Sequence, residues 1–181
     1  VVERHLGCVE SLILAKANVN ARRKVDHATP LHAAALLGMT SVINRLVEAR
    51  ANINAELSKP AGVTAVYNAS MRGHYRTLQI LLAAKGNPNC VRQSDLSSPV
   101  IVCAAAGTDS CLRMLLDAKA DSNTHRKDGV TPLVLAAQAG QVRRSSARLR
   151  ASVSKSPHIL QGIVRPTTAS AQTRLKRRLQ G

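Results

Sequence analysis

Apolar residues recur along this chain in two alternating short blocks, separated by polar stretches. The first kind of block opens at Thr29-Pro30-Leu31-His32, Thr64-Ala65-Val66-Tyr67, Ser98-Pro99-Val100-Ile101 and Thr131-Pro132-Leu133-Val134. A Thr or Ser hydroxyl caps orphan amides at a helix start, and Pro just inside pre-sets the first helical dihedral. Nine residues after each cap stands a glycine: Gly38, Gly73, Gly107 and Gly140. Glycine there suits a left-handed residue that ends a helix, so the spacing predicts four helices of about two turns.

The second kind of block reads Val42, Ile43, Leu46 and Val47, then Thr77, Leu78, Leu81 and Leu82, then Cys111, Leu112, Leu115 and Leu116. Cys8, Val9, Leu12 and Ile13 fit the same frame. Residues at i, i+1, i+4 and i+5 share one face of an α-helix, which predicts a second, half-buried helix with these positions in the core. Each unit closes on an Ala-x-Ala-Asn-x-Asn-like stretch. It runs Ala15–Asn20 and Ala49–Asn54, and returns with Gly86 and Asp121 variants as Ala84–Asn89 and Ala118–Asn123. The closing Asn20, Asn54, Asn89 and Asn123 lie 34, 35 and 34 residues apart. A fixed period of this size marks supersecondary units, each burying its apolar face on its neighbours.

On the Thr29–Ala34 run, its weaker copies, the phased glycines and the closing stretch, residues 4–140 resemble the ankyrin repeat. The resemblance implies an all-α solenoid of helix-turn-helix repeats, with hairpin loops projecting at 21–28, 55–63, 90–97 and 124–130. The array then covers 1–140: a half repeat at 4–20, full repeats at 21–54, 55–89 and 90–123, and a partial one at 124–140. Beyond it, Arg144, Ser145 and Arg148 occupy expected core positions and only Leu149 fits. We therefore expect an irregular cap at 141–153 and a basic, disordered tail at 154–181, which has no period able to bury a face. The family's usual capping-motif histidine survives only as His32. Where its second helix usually ends in Gly, this chain has Lys16, Arg50, Lys85 and Lys119. A left-handed non-glycine costs about 1 kcal/mol, partly offset by a cation at a helix C-terminus.

Charge is unevenly spread. The chain has 26 Lys plus Arg against 10 acids, and residues 141–181 hold ten of the cations and none of the acids. The four cysteines show neither disulfide nor metal-ligand spacing. Three take helix positions where small apolar residues belong, so reduced core thiols and an intracellular setting, cytoplasmic or nuclear, are expected. No run reaches the length of a membrane span. The chain begins at Val1 in mid-repeat, as a segment of a longer protein would. No enzyme constellation stands out. The histidines are scattered, Asp117 and Asp121 read as solvated surface, and the single periodic glycines form no phosphate-cradling loop. Asn68-Ala69-Ser70 matches a glycosylation sequon but falls inside a predicted helix. We expect no catalysis, no cofactor and no metal.

Binding is more legible. In ankyrin-like arrays, as the resemblance implies, partners meet the loops and the exposed, concave face of the first helices. Mapped here, that face carries Ala33, Leu36, Leu37, Asn68, Met71 and Arg72, then Val102, Ala105, Ala106, Leu135, Gln138 and Ala139. Nine of these twelve are apolar, and a contiguous apolar strip is a common mark of a partner site. Arg22, Arg23, Lys24, Lys59, Arg92, Arg126 and Lys127 make the loops net positive. The expected partner is an acidic or amphipathic protein segment, steered by charge and held by apolar burial. Two alternatives remain open. The compact cluster Arg174, Lys176, Arg177 and Arg178 suits nucleic acid or another anionic surface, although no aromatic interleaves with it. The array also suits a structural segment of a larger protein.

Overall fold

The computed structural model describes residues 2–140, with side chains from Leu6 onward. The expected cap at 141–153 and the tail at 154–181, with Arg174, Lys176, Arg177 and Arg178, lie outside the described residues. Among the described residues eight short helices follow one another: α1 (Val2–Leu14), α2 (Pro30–Leu37), α3 (Thr40–Glu48), α4 (Ala65–Arg72), α5 (Tyr75–Ala83), α6 (Pro99–Ala106), α7 (Asp109–Asp117) and α8 (132–140). The first helices of the repeats stack as α2–α4–α6 and the second helices as α1–α3–α5–α7. Within each repeat α2 packs on α3, α4 on α5 and α6 on α7. This is the all-α solenoid the periodicity predicts.

The punctuation works as its chemistry requires. Thr64 Oγ1 accepts from Tyr67 N at 3.4 Å, and Ser98 Oγ accepts from Ile101 N at 3.3 Å. At the first cap the His32 ring takes part: its Nδ1 accepts from Thr29 N at 3.2 Å and lies 2.8 Å from Thr29 Oγ1. Gly38, Gly73 and Gly107 end their helices at φ 69°, 69° and 65°. Lys16, Arg50, Lys85 and Lys119 are left-handed at φ 60°, 59°, 63° and 64°, so the turn keeps its shape without glycine. Gly140 departs from expectation. It is helical, its φ is not left-handed, and it lies within α8.

Leu46, Leu81 and Leu115 occupy equivalent buried sites, beside Val42, Thr77 and Cys111. Burial of such side chains on neighbouring helices is the main stabilising contribution of a stack. Three positions of the predicted stripe fall outside the core. Cys8 and Leu12 on α1 are exposed, because their counterparts Val42 and Leu46 are covered by α2, and no first helix stands beside α1 among the described residues. Leu116 is exposed, and among the described residues α7 has a second-helix neighbour, α5, on one side only. Cys103 and Cys111 are buried free thiols, as expected; Cys90, placed in the projecting loop at 90–97, is buried as well, and Cys8, expected in the core, is exposed. Burial raises all three buried thiols, Cys103 to about 11, so each is held as the protonated thiol.

Two hydrogen-bond ladders run along the stack, one between backbones and one from backbone N–H to Asn side chains. In the loops, Ser58 N donates to Asp26 O, Gln93 N to Ala61 O and Lys127 N to Asp95 O, each at 2.9 Å. Between closing stretches, Asn52 N donates to Asn20 Oδ1 at 2.7 Å, Asn87 N to Asn54 Oδ1 at 2.7 Å and Asp121 N to Asn89 Oδ1 at 2.8 Å. The periodic Asn residues therefore couple each repeat to the next. The loops also share a turn that periodicity alone does not reveal. Two residues before each cap the backbone is left-handed, at His27, Gly62, Leu96 and Gly129.

Candidate functional site

Three loop aspartates set the shape of the hairpins. Asp26, Asp95 and Asp128 each accept, through Oδ1, the N–H two residues on, at 3.1, 3.2 and 3.2 Å. Such side-chain turns fix a tight reversal without a sheet. Asp26 also takes Arg23 in a forked pair, with Nε to Oδ1 at 2.8 Å, and Asp95 takes Arg92 in the same way at 2.8 Å. Ser97 Oγ adds a bond to Asp95 Oδ2 at 2.7 Å. The Arg23 and Arg92 guanidiniums hold these two carboxyls well below the usual carboxylate range. The 55–63 loop has Ala61 in place of the aspartate and a longer path, carrying Leu57, Lys59 and Pro60 out over α2 and α4.

That longer loop, the 21–28 loop and the inner faces of α2 and α4 enclose a cleft of about 770 Å³. Its apolar lining comes from Ala33 and Leu36 of α2, Met71 of α4 and Leu57, Pro60 and Val63 of the loop. Its rim carries Arg22, Arg23, Lys59 and Arg92. Arg92 lies over the ring of Tyr67, 5.7 Å from its centre, so this cation is held by both Asp95 and an aromatic face. Arg22 and Lys59 have no ion-pair partner among the described residues. At the back, His32 Nε2 bonds Val63 O at 3.3 Å, joining the first cap to the second loop. Burial lowers the His32 pKa, which keeps the ring neutral as a donor at Nε2 and an acceptor at Nδ1.

The cleft brings together Leu36, Asn68, Met71, Arg22, Arg23 and Arg92 from the residues singled out in the sequence, with Ala33 and Lys59. Leu37 and Arg72 are exposed on the same first helices without lining the cleft, and Lys24 is exposed outside it. Val102 and Leu135 are half-buried and Gln138 exposed, further along the stack. Arg126 and Lys127 line a separate hollow of about 290 Å³ with Ser94, Asp95 and Asp128. Asn68 is corrected. Expected on the exposed face, it is only 7% exposed, with Nδ2 donating to His32 O at 3.5 Å. Helix α4 has first-helix neighbours on both sides, α2 and α6, which close over its middle. Leu57, Pro60 and Tyr67 are cleft residues that the sequence reading missed. The extra length of the 55–63 loop was the signal available for the first two.

Among the described residues no group of His, Cys, Asp and Glu could hold a metal ion, and no helix is long and apolar enough to cross a membrane. No curated protein sequence matches the chain. A family model described as ankyrin repeats (3 copies) matches residues 1–93 and 66–145. With capped helix pairs, left-handed turns and stacked hairpins in phase over the described residues, the chain belongs to the ankyrin-repeat family.

Proposed function

We propose that this chain binds an acidic or amphipathic protein segment through its concave first-helix face and loops, without catalysing a reaction. Ankyrin repeats are generally protein–protein interaction modules and typically non-catalytic. The observation that carries the finer reading is the cleft between α2, α4 and the first two hairpins, with an apolar floor and a cationic rim. Apolar floor area supplies affinity once water is excluded, and the rim charge steers and selects the partner. Leu37, Arg72, Val102, Leu135 and Gln138 extend the same face.

The basic cluster at Arg174, Lys176, Arg177 and Arg178 motivates a second reading, in which nucleic acid or an anionic surface is bound by charge. The two separate cleanly. A partner of the concave face is lost on Leu36→Asp with Met71→Asp, survives removal of 154–181, and weakens modestly with salt. A phosphate-backbone ligand behaves oppositely, with log K falling by about 0.9 per neutralised phosphate on duplex DNA for each decade of salt. Pull-down with both variants, with nuclease and at two salt concentrations, makes the test. Partners that all vanish with nuclease or with the tail would overturn the concave-face reading.

A further inference from the structure

Where the neighbouring first helices carry Ala33 and Val102, α4 carries Asn68, in the lining of the cleft. Its one side-chain bond among the described residues is long, Nδ2 to His32 O at 3.5 Å. The Oδ1 acceptor and the second Nδ2 hydrogen have no partner among the described residues. A carboxamide carries an acceptor and a donor side by side, the complement of the N–H and C=O that one residue of an extended segment turns to the same side. Leu36, Leu57 and Met71 stand around it, and Arg22 and Lys59 rim the same cleft with no ion-pair partner among the described residues. A main-chain reader, an apolar seat and free cations therefore share one concavity of about 770 Å³, within the size range of ligand clefts.

We propose that this cleft is a subsite for an extended, acidic peptide segment. Asn68 accepts a main-chain N–H through Oδ1 and donates to a main-chain carbonyl. An apolar side chain of the segment seats on Leu36, Leu57 and Met71, and a neighbouring carboxylate meets Arg22 and Lys59. The proposal rests on the concave-face reading above and adds how the partner is read. Charge complementarity selects the acidic segment. Arg23 and Arg92 are already matched by Asp26 and Asp95, so Arg22 and Lys59 remain for a ligand.

The test uses the full chain and short, end-blocked fluorescent peptides, each with a central Leu flanked by Asp and Glu. Matched controls carry Lys flanks or a central Ala, and anisotropy reads the affinity. The acidic Leu peptides bind about tenfold or more tighter than either control. Asn68→Val, which installs the residue of the next repeat, lowers affinity about tenfold while thermal unfolding shows the fold intact. N-methylating each peptide amide in turn finds one position that causes the same loss in the parent and none in Asn68→Val. Arg22→Ala with Lys59→Ala weakens binding and flattens its salt dependence. Peptides that fail to bind at millimolar concentration, or bind Asn68→Val as tightly as the parent, overturn the proposal. Binding lost with Val102→Asp or Leu135→Asp but kept in Asn68→Val sinks this subsite and leaves the concave-face reading standing. Binding indifferent to every first-helix variant sinks both.

Discussion

Thr77 places a hydroxyl in the core with no hydrogen-bond partner among the described residues, at a site where Val42 and Cys111 serve the adjacent repeats. A buried unpaired hydroxyl costs about 1–3 kcal/mol. Thr77→Val keeps the shape and removes the group, so it should raise stability by about 1 kcal/mol. A chemical denaturation midpoint at or below that of the parent would count against this account. His32 shows the reverse, a buried polar group that is fully used. Its folded pKa is depressed below the ordinary 6.5, first by desolvation, so the unfolded chain takes up the proton at higher pH. The stability it contributes is complete above the unfolded value. It is lost as pH falls through that value towards the folded one, by up to about 1.4 kcal/mol per pH unit. Denaturation at pH 7.5 and 5.5 should show a smaller pH dependence in His32→Ala than in the parent. The Thr29–His32 motif made this contact legible in advance. The solitude of Thr77 was not legible, because pairing depends on what faces the residue across the helix.

Helix pairs gave the strongest signal in the sequence, because one face of each must repeat every three to four residues. Leu46, Leu81 and Leu115 were therefore placed from spacing alone, and each is at most 2% exposed. Leu→Ala at any of the three should cost about 2–5 kcal/mol by unfolding titration. A loss below about 0.5 kcal/mol at all three would mean that these side chains do not form the core. The hairpins were harder to read. Their shared left-handed turn holds glycine at positions 62 and 129 but His27 and Leu96 in the other two loops, which hides the period. That mixture predicts opposite outcomes for two substitutions. Leu96→Gly removes left-handed strain from a side chain that is 42% exposed, and should stabilise by up to about 1 kcal/mol. Gly62→Ala should destabilise by more than that, because an added Cβ would meet Val91 O at 2.1 Å. Thermal midpoints of the two variants, moving apart from the parent, provide the check. The cleft escaped the sequence reading as well. It is built by the longest of the four loops, and an extra residue shows where the chain projects without showing what it covers.

Across the stack, each repeat touches its neighbours through like helices, through loop amides and through the Asn ladder. Neighbour contacts also explain where burial was misjudged. Asn68 is closed over from both sides, while Cys8, Leu12 and Leu116 have no covering helix among the described residues, and no single repeat's sequence states which neighbours it will have. Nearest-neighbour coupling makes stability a sum of repeat and interface contributions rather than a property of one shared core. It also decides how the array yields to tension. Pulled by its two ends, a protein with one closed core breaks as a block, whereas this one bears the load at one interface after another. Single-molecule stretching should therefore give a sawtooth whose teeth are each one repeat long, roughly 110–120 Å of released chain for a unit of 34 residues. A single rip releasing the whole array would refute the expectation. Between those events the remaining repeats keep their shape, so the domain acts as a spring that extends in countable steps and recoils by restacking.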